Sequence, residues 1–106
     1  MLLRALAHAR TGDKGDTAQI AVFARDPADY PRLVRCLTAE RVSAHFARLS
    51  PTAVDRYELP GLAALNFVLH GALRGGVTRS LALDGHGKTL GAQLLGMEID
   101  DVPTCD

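Results

Sequence analysis

The stretch Ala18-Gln19-Ile20-Ala21-Val22-Phe23-Ala24 constrains this chain more than any other. On an extended backbone, Ile20 and Val22 share one side, and Gln19, Ala21 and Phe23 share the other. Both sides are apolar, so this strand belongs at the centre of a sheet with cover over at least one face. Its partners must come from 106 residues. That length suits one domain with its own core, without need of disulfides or metals.

The neighbouring segments supply those partners. Residues 2–10 read as a strand, with Leu2, Leu6 and His8 on one side and Leu3, Ala5, Ala7 and Ala9 on the other. Asp26-Pro27 opens a helix, Asp26 as N-cap and Pro27 at the first helical position, carrying Tyr30, Leu33, Val34 and Leu37. Thr38 caps a second helix with Glu40 near its positive end, and Val42, Phe46 and Leu49 line one face. Val54 to Leu59 mixes apolar and charged residues as a half-exposed edge strand. Pro60-Gly61 then predicts a third helix over 62–73, apolar nearly all round and ended by Gly75-Gly76. Val77 to Leu83 alternates as a last strand, Asp84-Gly85 turns, and Leu90, Leu94, Leu95 and Met97 mark a closing helix. The predicted order is β-β-α-α-β-α-β-α. It implies an α+β fold, with one mixed sheet of about four strands and helices mainly on one face. A single domain is expected over 1–99, with 100–106 a loose acidic tail.

Lys+Arg and Asp+Glu both number 12, for a formal net charge of zero. That argues against nucleic-acid binding, which needs a basic excess, and favours self-association. No apolar run approaches the ~18 residues of a membrane span. Met1-Leu2-Leu3-Arg4 is followed by only a short alanine-rich run, so no signal peptide is expected. Cys36 and Cys105 fit no zinc spacing; Cys36 reads as a small core residue and Cys105 as exposed. Together these point to a reducing, cytoplasmic setting.

Between the first two strands lies the densest polar chemistry, Thr11-Gly12-Asp13-Lys14-Gly15-Asp16-Thr17. It is longer and more charged than hairpin closure requires, and such surplus is where function concentrates. It is not a P-loop, because Lys14 precedes Gly15 and a strand follows. Nor is it a calcium loop, because only Asp13 and Asp16 are offered. A glycine-rich backbone can instead aim N–H groups at an anion, with Lys14 adding charge and Asp13 or Asp16 moving a proton. The bland alternative is a solvated loop with Lys14 neutralised by its flanking aspartates. His8 and Arg10 share one face of the first strand and lead into this loop. Asn66 and His70 sit one turn apart if 62–73 is helical, forming a polar seam with no metal signature. Arg79 reads as a bidentate anion grip or a salt bridge. A metal variant would draw on Asp13, Asp16 and His8.

The run Ala9-Arg10-Thr11-Gly12-Asp13-Lys14-Gly15-Asp16-Thr17-Ala18, with Ile20-Ala21-Val22, resembles the C-terminal domain of acyclic terpene utilisation proteins of the AtuA type. Leu37-Thr38-Ala39-Glu40-Arg41-Val42, Arg56-Tyr57-Glu58-Leu59-Pro60-Gly61, Ala64-Leu65-Asn66-Phe67 and Thr78-Arg79-Ser80-Leu81 extend the resemblance over nearly the whole chain. The chain departs from the family pattern in Thr11 for a frequent serine, Gln19 for asparagine and Ala21 for glycine. Its glycine run before Thr78 is also shorter, with Arg74. The resemblance implies a ferredoxin-like two-layer sandwich in bacterial catabolism of branched, terpene-like acids as coenzyme A thioesters. In the family this domain commonly follows a much larger one, so a chain of this domain alone is expected to act as a small subunit.

Two functions follow as expectations. In one, the chain is an accessory domain that assembles with itself and with a larger AtuA-type protein. In the other, it is a small enzyme or enzyme subunit acting on an acyl-CoA thioester. No cofactor is evident; coenzyme A thioesters are the ligand class to try. Candidate catalytic residues are Asp13 and Asp16. Candidate ligand-binding residues are Arg10, Thr11, Gly12, Lys14, Gly15, Thr17, Asn66 and Arg79, with no metal ligands assigned.

Overall fold

The computed structural model describes residues 1–72 and 88–99. Four strands form one sheet: β1 (Ala7–Lys14), β2 (Thr17–Ala24), β3 (Ala53–Leu59) and β4 (Ala64–His70), in the order β1-β2-β4-β3. All three pairings are antiparallel, so the expected mixed sheet is corrected to an antiparallel one over the described strands. The α+β class and the central place of β2 are as the apolar pattern required.

One face of the sheet makes the core. Ala18, Ile20 and Val22 of β2 stand opposite Leu69, Phe67 and Leu65 of β4, and all six are fully buried. Three helices lie over this face: α1 (Tyr30–Cys36), α2 (Ala39–His45) and α3 (Lys88–Leu95). They add Leu33, Cys36, Val42, Leu90 and Leu94 to the same cluster. Cys36 is buried as expected, yet it is not a free thiol, so the cysteines give no ground for a reducing compartment.

The helix starts follow their capping chemistry. The Asp26 carboxylate accepts the Ala28 N–H at 3.0 Å and opens a 3-10 turn, Pro27–Asp29, that leads into α1. The Thr38 hydroxyl accepts the Arg41 N–H at 3.1 Å, and Glu40 sits in the first turn of α2, where the helix dipole favours it. At the chain start, Leu3–Ala5 is a 3-10 turn rather than the beginning of a strand. The Leu3 N–H bonds Met97 and the Ile99 N–H bonds Met1, which ties the first residues to the segment after α3.

Two expectations are corrected. The predicted helix over 62–73 is the strand β4, preceded by one 3-10 turn, Pro60–Leu62. Ala63 then takes a left-handed backbone, φ 50, which stops helical continuation and turns the chain back along β3. A short, largely apolar stretch such as Ala64–His70 serves a buried helix or a covered strand equally well, and length favours the strand. The charged loop of 11–17 is also mostly strand. Lys14 pairs with Thr17, leaving only Gly15-Asp16 as the turn. Gly15 has φ 63, as the first position of a tight type II′ hairpin requires. Gly15→Ala is therefore expected to cost about 1 kcal/mol in urea unfolding, the strain of a side chain at positive φ. The expected strand over 77–83, the preceding glycines and the tail lie outside the described residues.

Candidate functional site

Strand geometry divides the residues of the hairpin between two faces. Ala9, Thr11 and Asp13 stand opposite Val22, Ile20 and Ala18, on the face under the helices. His8, Arg10 and Gly12 stand opposite Phe23, Ala21 and Gln19, on the open face. The metal variant fails on this point: His8 and Asp13 are on opposite sides of β1. Among the described residues, no three His, Cys, Asp or Glu side chains gather closely enough to hold an ion.

The anion cradle also changes shape. A nest of N–H groups needs consecutive residues alternating between helical backbone conformations. Gly12 and Asp13 are extended ladder residues, whose successive N–H groups point to opposite edges. Asp16 accepts the Thr17 hydroxyl at 3.4 Å, within the exposed hairpin tip. Thr11 is structural in its contacts. Its Oγ1 accepts the backbone N–H of Gly91 at 2.9 Å, pinning α3 to β1. The family's frequent serine at this position would keep the same hydroxyl.

The open face brings other residues together. The register places Arg10, Ala21, Asn66 and Tyr57 in one row across all four strands. On one side lies the row His8, Phe23, Ala64 and Leu59; on the other lies Gly12, Gln19, Val68 and Asp55. His8 stacks on Phe23 with ring centroids 5.2 Å apart. His70 Nε2 lies 2.8 Å from Asp55 Oδ2. The expected helical pairing of Asn66 with His70 becomes a strand arrangement in which both stay on this open face. Arg10 makes no hydrogen bond or ion pair among the described residues. No described helix covers this face, and Tyr57, Leu59 and Leu62 are exposed, Leu62 at 65%. Arg10 and Asn66 thus share a row, while Arg79 lies outside the described residues.

Two concavities flank the sheet rather than the hairpin tip. One of about 590 Å³ lies between α2 and β3, lined by Ala39, Ser43, Ala47 and Val54. One of about 400 Å³ lies between β1 and α3, lined by Ala9, Arg10, Thr11, Ala92 and Leu95.

Two arginines that the strand and helix patterns leave without a role hold the helices in place. Arg56 Nη1 donates to the carbonyls of Val34 at 2.8 Å and Leu37 at 3.1 Å. Arg41 Nη1 donates to the Cys36 carbonyl at 3.0 Å. Together they serve the carbonyls that the end of α1 leaves without helical partners. The signal was present in the stretches 37–42 and 56–61, whose arginines carried no role in the strand and helix patterns.

The model of the AtuA ferredoxin-like domain matches residues 1–100. No curated protein matches the chain, and no solved structure does. Among the described residues, no helix is long and apolar enough to cross a membrane. The match spans nearly the whole sequence and agrees with the observed antiparallel α+β sheet, so the chain belongs to the AtuA ferredoxin-like domain family.

Proposed function

We propose that this chain is an assembly domain, joining copies of itself to a larger AtuA-type protein that degrades branched acyl-CoA compounds. The observation that carries this reading is the asymmetry of the sheet. One face is packed under three helices, and the other presents Phe23, Val68, Tyr57 and Leu59 with no described helix over it. The face mixes these apolar groups with Gln19 and Asn66 on its two inner strands, the composition of a non-obligate protein interface. The zero net charge adds no repulsion between copies. The hairpin tip, with Asp13, Asp16 and the Gly15 turn, stands at the end of this sheet. In this reading the tip contributes to a site completed by another chain, with a coenzyme A thioester as the ligand class.

The test is light scattering on the full chain, alone and co-expressed with a larger AtuA-type protein. The reading predicts a self-associated species and a stable joint complex. A monomer that ignores the larger protein overturns it. Asp13→Asn and Asp16→Asn are expected to leave assembly intact and to weaken calorimetric binding of an acyl-CoA by that complex. Unchanged binding removes the hairpin tip from the site.

A further inference from the structure

We infer that two copies of this chain pack open face to open face about a two-fold axis running along the strands, between β2 and β4. This rests on the assembly reading above and specifies its partner and geometry. In the order β1-β2-β4-β3, such an axis sets β1 over the partner's β3 and β2 over the partner's β4. It preserves position along the strands, so each row of the open face meets itself reversed.

The reversed middle row is complementary in size. In the middle row, Ala21 meets the partner's Asn66, both partly exposed; in the next row, Gln19 meets the partner's Val68. A larger side chain thus faces a smaller one in the middle row, at the centre, where face-packed sheets need interdigitation. The rows are complementary in charge as well. Arg10, without a hydrogen-bond or ion-pair partner among the described residues, faces the ring of the partner's Tyr57, itself 51% exposed. The partner's Asp55 is two residues further along the same strand face, about 7 Å away and within reach of a guanidinium. Within one copy, Arg10 and Asp55 sit on opposite outer strands of the described sheet, three strand spacings or about 14 Å apart and too far to pair, so their pairing is one between copies. The other in-plane two-fold axis, across the strands, would stack Arg10 on Arg10 and Tyr57 on Tyr57. The charges therefore choose the axis along the strands.

Charge reversal tests this in the full chain. Arg10→Asp and Asp55→Arg are each measured alone and together by sedimentation equilibrium, with circular dichroism confirming the fold. Asp55 pairs with His70 at a half-exposed site, a contact worth at most about 1 kcal/mol, so Asp55→Arg is expected to fold. Each single variant is expected to weaken dimerisation at least about tenfold, because symmetry repeats the loss and like charges meet. The double variant is expected to restore dimerisation to within about threefold of the parent, the opposite charges again facing each other. Folded single variants that dimerise as the parent does overturn this geometry while leaving the assembly reading standing. So does a double variant that stays as weak as the singles. A parent chain that is monomeric alone, yet joins the larger protein, overturns self-association only.

Discussion

Arg56→Ala is expected to lower stability by about 3 kcal/mol, and the melting temperature by on the order of 10 °C or more. Arg56 sits on the helix-covered face of β3 with its side chain 21% exposed. One nitrogen serves two carbonyls at the end of α1, those of Val34 and Leu37. Its removal strands both carbonyls in a partly buried corner, and unsatisfied groups there cost about 1–3 kcal/mol each. The same guanidinium also meets Glu58 at 3.1 Å, and that carboxylate is 50% exposed. Exposed pairs are worth at most about 1 kcal/mol, so the carbonyls dominate. Glu58→Gln is the control: urea unfolding should show it shifting stability by less than about 0.5 kcal/mol. Arg56→Lys keeps the charge but loses the planar fork, and should fall between the two. If Glu58→Gln costs as much as Arg56→Ala, the ion pair and not the helix end is the source of the stability.

Gly91→Ala is the second large effect, about 2 kcal/mol destabilising by thermal or urea unfolding. On an exposed helix the same change would gain up to about 1 kcal/mol from propensity. Here the new Cβ would lie 2.6 Å from Thr11 Oγ1 and 3.5 Å from the Ala9 Cβ. The first distance is below any real contact, and the obstructing oxygen belongs to a short side chain held by the Gly91 N–H. Either α3 lifts from β1 or that hydrogen bond is lost, so steric cost outweighs propensity. Thr11→Ser keeps the hydroxyl and should be nearly silent. Thr11→Ala should make room, so Gly91→Ala in that background costs less than in the parent. That non-additivity is the mark of direct contact between the two positions.

The legible parts of the fold were those with strict local rules. Asp26 and Thr38 cap where their side chains allow, and the two-sided apolar pattern of 18–24 placed β2 at the centre. Residues 64–70 escaped because Ala64, Leu65, Phe67, Val68 and Leu69 are apolar on both faces of β4. A covered strand next to a half-apolar open face leaves no period to read. The hairpin was legible as a feature but not in extent. Its polar residues are strand positions, and which of two faces each occupies depends on register, which only the tertiary pairing sets. The row uniting Arg10 with Asn66 and Tyr57 joins the first hairpin to β3 and β4, far along the sequence. The roles of Thr11, Arg41 and Arg56 depend on where α1 and α3 dock. None of these had a local signal.

The central claim is that the open face of the sheet is an association surface. Hydroxyl-radical footprinting of the full chain, compared between dilute and concentrated solution, tests it most directly. The account predicts that oxidation at Tyr57 and Leu59 falls several-fold as the chain associates, while His45, exposed on α2, is modified as before. Association that leaves Tyr57 and Leu59 fully reactive, or that protects α2 instead, would contradict it.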